Sequence, residues 1–238
     1  MRFIVPILFF LIFPIIAFAQ YNKPKIDLSN RTGDHFMMQL SSDHWLGAPD
    51  SIGSSIKPLS RGFNAAIMLD KPFKNNPKLS VAFGVGISTS HVFFVNTEIG
   101  ISNNTRTLSF ANTDTVSHFQ KYKFATAYAE IPLELRYFSN PTQTGKAVKI
   151  AIGVKIGTLV NAHTKGKNLL DKNDQPLREF TQKINSRSYL NTTRIAATFR
   201  AGYGNFFLFG SYNLTPVFKS QVAAEMSLLQ AGIGITGL

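Results

Sequence analysis

Hydrophobic and polar residues alternate with a period of two through most of this chain. The clearest run is Ala125 to Tyr137, where Ala125, Ala127, Ala129, Ile131, Leu133, Leu135 and Tyr137 alternate with Thr126, Tyr128, Glu130, Glu134 and Arg136. Successive side chains of a strand point to opposite faces, so one face here is apolar and the other carries charge. In Val148 to Ala162, Val148, Ile150, Ile152, Val154, Ile156 and Val160 oppose Lys149, Gly153, Lys155, Gly157 and Asn161. In Thr193 to Tyr203, Ile195, Ala197, Phe199 and Tyr203 oppose Arg194, Thr198 and Arg200. Leu79 to Ser90 sets Leu79, Val81, Phe83, Val85 and Ile87 against serine and glycine. Weaker segments at Asp34–Ser42, Arg61–Leu69, Phe206–Thr215 and Met226–Leu238 bring the expected strands to eight. Each approaches the ~9–11 residues that cross a bilayer at a tilt.

The composition of the polar face decides which kind of β fold this is. A soluble sandwich or lipocalin-like barrel would turn its apolar face inward. A soluble barrel binding a small ligand is therefore the alternative reading. A membrane barrel turns the apolar face to lipid and the charged one to the lumen, and closure pairs every backbone group. Connections alternate long and short: Asp43–Ser60, His91–Phe119, Thr164–Arg187 and Pro216–Glu225 are long, while Lys71–Lys78, Ser139–Ala147 and Gly204–Asn205 are short. That parity matches outer-membrane barrels, with short periplasmic turns and longer extracellular loops. The expected fold is all-β, an eight-stranded antiparallel transmembrane up-and-down barrel.

Arg2, the uncharged run Phe3 to Phe18 and the small-residue pattern Ala17-Phe18-Ala19 predict a cleaved signal peptide over 1–19. A short periplasmic tail over 20–33 and the barrel over 34–238 complete the expected organisation. The chain has no cysteine, so the barrel cannot rely on disulfides. The formal charge of +12 raises nucleic acid or an anionic membrane surface as partner. Its cations fall on strands and loops without forming a nucleic-acid stripe, which leaves the membrane.

The segment Glu130-Ile131-Pro132-Leu133-Glu134-Leu135-Arg136-Tyr137 resembles the E-I-P-L-x-L-K/R-Y strand of the small outer-membrane β-barrel proteins of Bacteroidetes, a group that includes PorT-like proteins. The leader ending Ala-Phe-Ala-Gln, the glycine-bearing strand after Asn140-Pro141 and the segment Phe199–Tyr212 are similar too. The resemblance implies an eight-stranded barrel in the outer membrane, with a structural or accessory role in an envelope or secretion complex. It carries over no functional residues.

Candidate chemistry lies on the polar face. Glu130 and Glu134 are four residues apart on one strand, ~13 Å, too far for the ~5–9.5 Å of glycosidase carboxylates. With Arg136, Lys149, Lys155, Arg194 and Arg200 they are expected to form a structural ion network in the lumen. Eight-stranded barrels have interiors that side chains can fill, so a polar core is expected in place of a pore. Lys121 and Lys123 share the outward parity of Ala125 near the loops, where cations can meet anionic lipid head groups. Trp45, Tyr137, Tyr203 and Tyr212 suit interfacial aromatic girdles. No metal or cofactor is expected, since no histidine spacing or glycine loop suggests one. The chain is expected to act as a monomeric, non-enzymatic barrel. A lipid hydrolase or acyltransferase remains the lesser alternative, with bases among His44, His91, His118 and His163, orienting acids Asp43 or Asp114, and a nucleophile among Ser41, Ser42, Ser90 and Ser117. Its most workable form pairs Ser90 with His118 at one height on neighbouring strands.

Overall fold

The computed structural model describes residues 35–103 and 105–237. The expected signal peptide and tail lie outside the described residues. Eight strands form the wall: β1 (Phe36–Leu46), β2 (Arg61–Pro72), β3 (Leu79–Phe94), β6 (His118–Phe138), β7 (Val148–Leu170), β9 (Thr193–Tyr203), β10 (Phe206–Asn213) and β11 (Ser227–Thr236). All neighbours are antiparallel, in the order β6-β3-β2-β1-β11-β10-β9-β7, and β6 pairs with β7 to close the ring. The last strand meets the first over ten rungs, from Met37↔Thr236 to Leu46↔Ser227.

Three strands lie outside the wall. The hairpin of β4 (Thr97–Ile99) and β5 (Phe110–Asn112) folds within the β3–β6 connection. β8 (Pro176–Asn185) continues β7 as a protruding hairpin. The expected loop Thr164–Arg187 is thus largely strand, and the expected loop His91–Phe119 contains the short β4–β5 hairpin. Thr164–Arg187 is polar, and polar residues on both faces of β8 hide the alternation that marks a strand in lipid. β4 and β5, at three residues each, are too short for alternation to show.

The wall faces the way its alternation dictates. Val148, Ile150, Ile152, Val154, Ile156 and Val160 point outward from β7, each between 39% and 57% exposed. Their 13 positions, at ~3.3 Å each and a ~40° tilt, rise ~30 Å, the thickness of a hydrocarbon core. Ile131, Leu133, Leu135 and Tyr137 continue the apolar wall on β6, and Val85, Ile87 and Phe83 on β3.

The short ends are fastened by turn chemistry. The Asn140 side-chain oxygen accepts from Thr142 N (3.1 Å) and Gln143 N (3.3 Å) between β6 and β7. Gly204, at φ +60°, turns β9 into β10 with Tyr203 opposite Phe206. At the other end the connections fold over the mouth, including α1 (Asp50–Gly53). They bury an apolar cluster containing Val92, Phe94, Phe124, Leu190, Phe218, Met226 and Leu228.

Trp45 belongs to this cluster and not to an interfacial girdle. It is 8% exposed, with Phe94, Phe124 and Phe218 edge-on at centroid distances of 5.7, 5.8 and 5.5 Å. Its parity matches Gln39, Ser41 and Asp43, which all face the lumen. Tyr137, Tyr203 and Tyr212 do face outward.

Candidate functional site: a filled lumen

The lumen below the aromatic plug is built from side chains that the strand pattern places on the inner face. Glu130, Glu134, Arg136, Lys149, Lys155, Arg194 and Arg200 are all buried, none more than 6% exposed. Around Glu130, Arg194 reaches in from β9 to form an ion pair, and Lys155 Nζ stands 3.8 Å away. The Arg194 guanidinium also covers the Tyr128 ring at 4.2 Å.

One rung group lower, the Glu134 Oε2 atom accepts from Arg136 Nε (2.8 Å) and from Arg200 Nη2 (2.9 Å) and Nε (3.2 Å). Arg200 lies over Phe207 at 5.1 Å, and Lys149 Nζ lies 5.8 Å from the Phe138 ring centre. Burying charge is tolerated when partners and hydrogen bonds replace water.

Both carboxylates need space, and glycine supplies it. Gly153 and Gly157 are the β7 rung partners of Glu134 and Glu130. A Cβ on Gly153 would come within 3.0 Å of Glu134 Cγ, and one on Gly157 within 3.1 Å of Glu130 Cγ.

Two acids that pattern reading did not place in the lumen complete the balance. Asp70 at the end of β2 lies 3.6 Å from Arg136 and accepts from Ser80 Oγ at 2.6 Å. Asp43, 1% exposed, accepts from Ser41 Oγ (2.5 Å) and Gln230 Nε2 (3.1 Å). Five cations then face four carboxylates, leaving one formal positive charge. Inward parity with Gln39 would have found Asp43, and parity with Met68 would have found Asp70. A neutral chain of hydrogen bonds, Ser88 to Asn64 (2.6 Å) and Asn64 to Gln39 (3.2 Å), fills the wall opposite.

The groups considered for hydrolysis are dispersed. Ser90 pairs with Thr126, and His118 pairs with Leu170, eight residues farther along β6. That is ~26 Å at strand rise, so Ser90 and His118 do not share a height. His118 meets Asp174 at 3.0 Å instead. Ser42 and His44 touch at 2.9 Å, but Asp43 between them points to the lumen. Asp114 takes hydrogen bonds from Asn96 (2.6 Å) and Asn112 (3.1 Å), which hold its carboxyl below the ordinary carboxylate value.

Lys121 and Lys123 face outward near the loop end, Lys121 exposed and Lys123 half-buried. Among the described residues no group of three or more histidine or acidic side chains could hold a metal ion.

A closed antiparallel ring, apolar outside and charged inside, defines a transmembrane β-barrel, whose polarity is the reverse of a soluble core. The chain belongs to the outer membrane protein beta-barrel domain family, whose model matches residues 18–219. Neither a curated protein nor a solved structure matches it. The protein is located in the outer membrane.

Proposed function

We propose that this protein is a non-conducting structural or interaction barrel, accessory to an envelope or secretion complex, with its long loops on the cell surface. The observation that supports this is the filled lumen. Two tiers of buried ion pairs and an aromatic plug occupy the space a solute would need. A barrel closed inside acts through what it presents outside. One such feature is the β7–β8 hairpin, whose outer strand is exposed almost throughout and has β7 as its sheet neighbour.

The orientation rests on loop asymmetry, since outer-membrane barrels keep short turns in the periplasm. The test is affinity purification from native outer membranes with a tag appended at Leu238, comparing the wild type with a chain lacking residues 172–183. A stoichiometric partner lost with the hairpin is the expected result. Recovery of a lone monomer, or ion conductance by the purified barrel in planar bilayers, would overturn the proposal.

A further inference from the structure

The outward face of β6, β7 and β8 carries an arrangement that the wall's own packing does not explain. Lys123 pairs with Lys165, and Lys165 pairs with Lys183, so three lysines stand side by side on one rung. Neighbouring strands are ~4.8 Å apart, and like charges directly opposite one another destabilise a sheet. The next rung toward the loops repeats the motif with Lys121 opposite Lys167. The rung below brings Arg61 beside His91, and His163 onto the far side of Ala125.

None of these side chains has a carboxylate ion-pair partner among the described residues. The ion pairs found there involve the lumen groups and His118–Asp174. Two of the cations lie instead against one aromatic ring, Arg61 5.4 Å and Lys123 6.0 Å from the Phe93 centroid. Lys165 and Lys183 are exposed.

The position of this belt identifies what neutralises it. It faces sideways from the barrel, directly above the apolar wall that ends near Ala127 and Val160. Lys123 lies four residues, ~13 Å along the strand, beyond Ala127. Lysine stems lie along apolar surface and deliver their ammonium groups into the head-group layer. We infer that the Lys123–Lys165–Lys183 rung, flanked by Arg61, is a binding site for phosphate groups of anionic lipids in the leaflet on the loop side. Neutralisation by lipid phosphate offsets the mutual repulsion of the lysines. The inference rests on membrane embedding and is independent of any protein partner.

The test uses the full barrel in nanodiscs of phosphatidylcholine, alone or doped with diphosphorylated lipid A, with bound lipid counted by native mass spectrometry after detergent release. Each basic side chain at a lipid surface contributes about fivefold, so the K123Q/K165Q/K183Q variant is expected to retain lipid A roughly 100-fold more weakly. The K71Q/K74Q/K78Q variant, which neutralises exposed lysines at the short-turn end, is expected to match wild type. Undiminished retention by the first variant, or equal loss in the second, would overturn the inference. Displacement by inorganic phosphate at an equal phosphate concentration would assign the site to a soluble anion and overturn it too. If the triple variant does not insert, K123Q, K165Q and K183Q singly should each lose about fivefold, and unchanged retention in all three refutes the site.

Discussion

Replacing Glu134 with alanine should be among the most damaging single changes in the barrel. Glu134 is 4% exposed, and its Oε2 atom receives three donors from two guanidinium groups. Removing it leaves Arg200 without a carboxylate among its described partners, while Arg136 keeps Asp70 at 3.6 Å. Breaking a buried pair by deleting one partner costs about 3–5 kcal/mol, because the remaining charge stays desolvated. The upper half of that range is expected here, since two cations share the lost acceptor. E134Q keeps the shape and one acceptor oxygen, and should cost less, about 1.5–3 kcal/mol. Urea unfolding in micelles would read these differences, with the single tryptophan, Trp45, reporting from within the plug. A double-mutant cycle with R200Q should show coupling, the pair of changes costing less than the two single costs added. Stability of E134A within about 1 kcal/mol of wild type, or strict additivity in the cycle, would refute the network as a determinant of stability.

Three further outcomes are expected. Trp45 emission should resist both acrylamide in water and brominated acyl chains in the bilayer; quenching by brominated lipid would return Trp45 to the interface. An epitope inserted near Asn173 should be labelled on intact cells and one at Asn75 only after permeabilisation, and the reverse pattern would invert the proposed orientation. Burial raises the half-buried Glu98 carboxyl, with His118 opposing the shift, so the folded β4–β5 cap holds this proton more tightly than the unfolded chain does. Its contribution is therefore complete below the ordinary carboxylate value and is lost as pH rises through the raised one. Protease resistance of the cap should fall over that interval in wild type and vary less in E98Q; an equal fall in both would remove Glu98 as the cause.

Much of the wall could be read directly from the chain. Period-two alternation determines which face the residues from Val148 to Val160 occupy. The bulge opposite Ala127 and Tyr128 then shifts the phase, so that Asn161, expected in the lumen, is exposed and Ala162 is buried. The composition of that face, Lys149 and Lys155 against isoleucine and valine, then decides between a soluble core and lipid. Loop parity gave the order of long and short connections from sequence separations alone. The limits of this reading were equally physical. Where both faces are polar, as in Lys165–Asn185, alternation vanishes and the β7–β8 hairpin looked like loop.

Alternation also says nothing about what lies across the barrel. Asp70 stands at the end of its strand next to Lys71 and Pro72, and looks like part of a turn until closure brings Arg136 over it. Trp45 resembled an interfacial aromatic until the loops folded down and surrounded it with Phe94, Phe124 and Phe218. The sequence by itself determined inside and outside along each unbroken run of alternation, where they depend only on a residue's neighbours along its strand. The phase shift after Val160 came from pairing with β6. Partnership within the lumen, the plug and the lysine rung depends on register between strands far apart in the chain, and only the tertiary structure decided it.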